Sequence, residues 1–133
     1  MTSQRDYALR LLARANDDLY VARRLAHDSG APEWTIGFHA QQAVEKALKA
    51  ALCVRSVPFP RTHNLVELAE LLRRDGAPVT VQDDALGMLT LYGVLMRYED
   101  GIPDSVSAPD AMWFCDTAGS VVDWAEKAVQ TAE

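Results

Sequence analysis

Apolar side chains recur at helical spacing along most of the chain, and no stretch alternates apolar with polar as a half-buried strand would. Ala8, Leu11, Leu12, Ala15, Leu19, Ala22, Leu25 and Ala26 fall on one face of a helix running from about Ser3 to His27. Ser3 and Asp6 are placed as a capping box, and Asp28-Ser29-Gly30 supplies the stop. The opposite face, rich in Arg and Asp, reads as solvated. A second helix runs from Pro32 to about Arg55, with Pro32 in the first turn, where the missing N–H is no loss. Ala40, Ala43, Ala47, Ala50 and Val54 form a small-residue ridge that lets another helix approach closely. Trp34, Phe38, Leu48 and Leu52 add bulk beside it.

Ser56-Val57-Pro58-Phe59-Pro60 is the clearest break, since two prolines forbid a continuing helix and hold the segment extended. The third helix runs from about Asn64 to Arg74, with Asn64 as cap, Glu67 as its N3 partner and Gly76-Ala77-Pro78 as its end. The fourth runs from about Val81 to Tyr98, with Thr80 and Asp83 at its start. Glu99 to Ser107 is a loop containing Gly101 and Pro103. The fifth starts near Pro109, capped by Ser107, and presents Phe114, Ala118, Val121, Val122, Ala125 and Val129 inward. The pattern predicts an all-α antiparallel bundle of about five helices, four long and one short. Short loops make residues 1–133 one domain.

Composition agrees with a globular chain. Of 133 residues, 49 % are apolar and 24 % charged, which excludes disorder as the default. The net charge of −6 argues against a strongly basic nucleic-acid binder. That total hides an asymmetry. Residues 1–63 hold nine basic and six acidic side chains, residues 64–133 four and thirteen. Such a split fits an anion site on an acidic protein, and equally attraction between elements or subunits. Cys53 and Cys115 lack metal or disulfide spacing and suit a reducing cytosol. With no signal-peptide pattern after Met1 and no apolar run of membrane length, the expectation is a cytoplasmic protein without membrane contact.

Candidate chemistry concentrates in three places. His39, Gln42, Lys46 and Lys49 lie within about 80° of one another around the second helix. Gln41 and Glu45 flank this stripe, and Glu45 is spaced to pair with Lys49. The stripe is either a solvated face with modest ion pairing or an anion site whose Lys and Gln donors hold phosphate oxygens. Arg61 and His63 precede the third helix, whose free N–H groups and dipole favour an anion, while His63 also fits as a plain helix-entry residue. Arg97-Tyr98 closes the fourth helix, where a cation complements the C-terminus. His27, His39 and His63 lack zinc spacing, and no Gly-rich phosphate loop or nucleophile elbow is present, so no metal or cofactor is expected.

The runs Phe38-His39-Ala40-Gln41-Gln42-Ala43-Val44-Glu45-Lys46-Ala47-Leu48-Lys49-Ala50 and Phe59-Pro60-Arg61-Thr62-His63-Asn64-Leu65, followed by Arg97-Tyr98, resemble the HEPN family (higher-eukaryote and prokaryote nucleotide-binding). The resemblance extends from the first helix to the last. It implies a small helical bundle, commonly a homodimer. It also implies a minimal nucleotidyltransferase as partner, in a pair of toxin–antitoxin type. Toxin members of that family are metal-independent ribonucleases. They carry Arg, four to six residues, then His near the end of a late helix, paired across the dimer. This sequence departs there, because no histidine follows Arg97 and no Arg precedes a His at that spacing. What the resemblance implies is therefore a nucleotide- or RNA-phosphate site on Lys46, Lys49, Arg61, His63, Arg97 and Tyr98, with no catalytic residue. A divergent ribonuclease toxin and a ligand-free protein-interaction module are the rival readings. The alanine ridge, with Trp113 and Trp124, further suggests apolar surface left over for a second copy.

Overall fold

A computed structural model describes residues 3–94 and 109–132. Among them are five helices: α1 (Gln4–Ala26), α2 (Glu33–Val54), α3 (Leu65–Arg74), α4 (Asp83–Val94) and α5 (Ala111–Thr131). None is long and apolar enough to cross a membrane. Five helices without a strand among the described residues confirm the all-α bundle.

The ends follow local chemistry. Ser3 and Asp6 form the capping box of α1. Pro32 stands one position before α2, at its cap, rather than in the first turn. At the far end of α2, Ser56 takes a φ of 55°. Its N–H donates to Cys53 O (3.0 Å), and that of Val57 donates to Leu52 O (3.0 Å). This is the doubly hydrogen-bonded stop usually given to glycine, and it ends α2 at Val54, four residues before Pro58. Gly76, at φ 86°, closes α3 in the same way. Helix α4 opens at Asp83 rather than Val81, and the Val81 carbonyl accepts from the Arg73 guanidinium (2.7 Å). The cap of α5 is Asp110, whose carboxylate accepts from Trp113 N (2.8 Å), and not Ser107. Ser107, the Glu99–Ser107 loop and the end of the fourth helix at Arg97-Tyr98 lie outside the described residues.

Helix α2 is the axis of the bundle and packs against every other helix. Ala40, Ala43, Ala47 and Ala50 are fully buried, and so are Ala8, Ala15 and Ala22 of α1. Small residues on both sides let the two helices lie close together. The ridge is thus covered by the chain's own α1, and the surplus surface expected there for a second copy does not exist. Leu48 and Leu52 fill the core with Phe114 of α5, as do the remaining inward residues predicted for that helix. Trp34 departs from the pattern, being half exposed at the first turn of α2.

Candidate functional site

The polar stripe of α2 divides into two clusters, each organised by a carboxylate. In the first, Asp18 of α1 stands between His39 and Lys46. Its Oδ1 lies 3.0 Å from His39 Nδ1, and its Oδ2 accepts from Lys46 Nζ. In the second, Glu45 is buried and fully engaged. Its Oε1 accepts from Gln41 Nε2 (3.1 Å) and lies 2.8 Å from His63 Nδ1, and its Oε2 accepts from Lys49 Nζ (3.2 Å). Gln41 is wholly buried and accepts from Gln42 Nε2 (2.6 Å), so one amide links the carboxylate to a second amide.

The turn after α2 places His63 here. The stop at Ser56 reverses the chain, Pro58 and Pro60 keep it extended, and Asn64 starts α3. The Lys49 ammonium also sits 5.8 Å from the centroid of the Phe59 ring, within cation–π range.

Burial by itself would raise the Glu45 carboxyl, but hydrogen bonds from His63 and Gln41 and the charges of Lys49 and His63 hold it below its ordinary value. An ionised carboxylate only accepts, so His63 Nδ1 must carry its proton. Nε2 is then the ring nitrogen that Glu45 leaves unused. A doubly protonated ring donates from both nitrogens, so Nε2 can meet an anion while Nδ1 stays on Glu45.

Asp18 and Glu45 each balance one lysine of the stripe. One expectation changes: α3 does not offer free N–H groups. Val66 N and Glu67 N donate to Asn64 Oδ1 (3.1 and 3.3 Å), and Leu65 N donates to Thr90 Oγ1 (3.1 Å). Only the helix dipole remains to attract an anion there.

Of the predicted site residues, Lys49 and His63 meet at Glu45, while Lys46 belongs to the Asp18 cluster. Arg61 is exposed and makes no hydrogen bond or ion pair among the described residues, so its guanidinium is available. Arg97 and Tyr98 lie outside the described residues. The organisers that sequence reasoning passed over are Asp18 and Gln41, with Glu45 noticed only as a flanking partner of Lys49. The signal was spacing. Gln41 and Glu45 continue the line of Leu48 and Leu52, and Asp18 lies three residues after Ala15 and four before Ala22.

A family model described as HEPN domain matches residues 8–129 of the chain. Neither a curated protein nor a solved structure gives a match.

Proposed function

Since the chain belongs to the HEPN domain family, whose functions are nucleotide- or RNA-related, we propose that it binds the phosphate of a nucleotide or RNA through Arg61, Lys49 and His63. The observation that carries this reading is the pair Lys49 and His63, held on one buried carboxylate, with Arg61, two residues before His63, exposed and without a hydrogen bond or ion pair among the described residues. Lys49 spends one of three donors on Glu45 and keeps the others. Arg61 adds a fork suited to phosphate oxygens. Lys46, one turn away but tied to Asp18, sits at the edge of the site. Arg97 and Tyr98 complete it on the strength of the family resemblance. The protein acts in the cytoplasm as the HEPN component of a toxin–antitoxin type pair, with a minimal nucleotidyltransferase as partner.

Titrating the protein with a nucleotide panel and a short RNA tests this reading. Arg61→Ala and Lys49→Gln each weaken binding about tenfold, as expected for one charge-assisted hydrogen bond. Arg14→Ala, on the exposed face of α1, changes it less than twofold. Wild-type binding falls steeply with salt. Equal effects of all three substitutions, or no wild-type binding, reject the site and leave the interaction-module reading.

A second reading rests on the same dyad. A carboxylate-oriented imidazole whose Nε2 is left unused is the arrangement of a general base, and such a group is worth about 10²–10⁴-fold in rate. The late-helix Arg and His pattern of family ribonucleases is missing, so the first reading has the purified protein leaving RNA intact. Cleavage abolished by His63→Ala replaces it with the second.

The protein is further proposed to be a two-fold homodimer. With the alanine ridge covered, the support is the exposure of two large apolar side chains, Trp34 at the start of α2 and Met112 at the start of α5. Light scattering at micromolar concentration gives twice the chain mass on this proposal, and a monomer there refutes it.

A further inference from the structure

Helices α4 and α5 meet at one end, where Tyr92 and Phe114 pack edge to face with centroids 4.7 Å apart. Toward the start of α4 a cavity of about 390 Å³ opens between them. That volume lies within the roughly 300–1,000 Å³ of small-molecule sites. Buried Leu48 and Val121 line it together with the half-buried Trp124. The linker from α3 closes one wall, held by a hydrogen bond from Trp124 Nε1 to Pro78 O (3.1 Å). The indole therefore has its polar atom satisfied and leaves its ring to the cavity.

The polar lining has one sign of charge. Asp116 is the only ionisable side chain that lines the cavity among the described residues. It is exposed and makes no hydrogen bond or ion pair with any of them. Thr80 and Gln82 add neutral polar groups on the opposite wall. Arg73 reaches the same linker, but its guanidinium is taken by Asp83 Oδ1 (2.6 Å) and Val81 O (2.7 Å).

We infer that this cavity is a binding site for a small organic amine, a primary ammonium on an aromatic or branched apolar body. The apolar body lies against Leu48, Val121 and the Trp124 ring, and the ammonium meets Asp116 at the rim. A neutral compound of the same shape keeps the apolar contact and loses the charge-assisted bond. An anion meets an unpaired carboxylate instead of a cation. The site is separate from Arg61, Lys49 and His63 and does not depend on the nucleotide reading.

Matched probes test it: phenethylamine, phenethyl alcohol and 3-phenylpropionate, titrated into the full chain and followed by two-dimensional amide NMR. Phenethylamine is expected to shift the Trp124 indole N–H and the Val121 amide saturably, about tenfold more tightly than the alcohol. The Trp34 indole stays in place, and phenylpropionate does not saturate. Asp116→Asn, a change at an exposed position, brings the amine down to the alcohol. Equal affinities for the three probes, tighter binding of the acid, no saturation at Trp124, or an amine preference that survives Asp116→Asn each overturn the assignment.

Discussion

Glu45→Ala is expected to lower the unfolding free energy by about 3 kcal/mol in urea denaturation. The carboxylate is buried, and it is the common partner of Gln41, Lys49 and His63. Truncation leaves a buried amide donor and a part-buried ammonium without their acceptor. Removing one partner costs the full desolvation of what remains, and not just the bond lost. Relief is partial, because Lys49 and His63 both reach solvent and the amide of Gln41 does not. Glu45→Gln keeps the volume and removes the charge, so about 2 kcal/mol is expected there. The pH dependence has a definite sign. The folded-state carboxyl is held below its ordinary value of 4.5, so the unfolded chain takes up the proton first. Its contribution is complete above that value and is lost as the pH falls through the lower folded value. The gap between wild type and Glu45→Gln is therefore flat near neutrality and narrows on acidification. A loss under 0.5 kcal/mol, or a gap that widens in acid, contradicts this role for the network.

Periodicity carries the fold because each helix of this bundle buries one face. The inward set of α5, from Phe114 to Val129, is legible for that reason, and so is the alanine ridge of α2. The caps at Ser3 and Asn64 are legible too, since a side-chain oxygen three residues before an N–H is a local arrangement. The site is less legible because its organisers break the pattern that reveals the helices. Gln41 and Glu45 occupy core positions, where spacing forecasts apolar residues, and they are tolerated only because every buried side-chain polar atom among the described residues finds a partner. Asp18 is misread for the opposite reason. Next to Asp17 it looks like part of a solvated run, yet α2 brings His39 and Lys46 to it. Which helix covers the alanine ridge is also beyond spacing. A ridge of small residues states that something approaches closely, and both a second copy and α1 satisfy that. Two of α3's N–H groups go to the local Asn64 cap, but the bond from Leu65 N to Thr90 joins groups 25 residues apart, so the loss of that last free N–H depends on tertiary packing.

Two glycines of α4 are expected to respond to the same substitution with opposite signs. Gly87 has no atom within 4 Å of where a Cβ would stand, so Gly87→Ala only improves helix propensity. It should raise stability by about 0.5–1 kcal/mol. Gly93 is buried, and a Cβ there would fall 2.2 Å from Gln41 Cδ, 2.4 Å from its Oε1 and 2.6 Å from its Nε2. The same propensity gain is available at Gly93→Ala, but the Gln41 amide must move. It is wholly buried and holds both Gln42 and Glu45, so moving it breaks two hydrogen bonds worth about 1 kcal/mol each. Overpacking adds about 1–3 kcal/mol. These terms exceed the propensity gain, and a net loss of about 2–4 kcal/mol follows for Gly93→Ala. Its effect also reaches the phosphate-binding reading. Once Gln41 no longer steadies Glu45, Lys49 and His63 lose their common anchor, and nucleotide or RNA binding weakens in step with stability. Gly87→Ala leaves binding unchanged. Thermal denaturation and titration of the two variants side by side separate the cases. If both alanines stabilise α4 alike, Gly93 is not there to seat Gln41, and the close approach of α4 to the Glu45 network has no part in holding it.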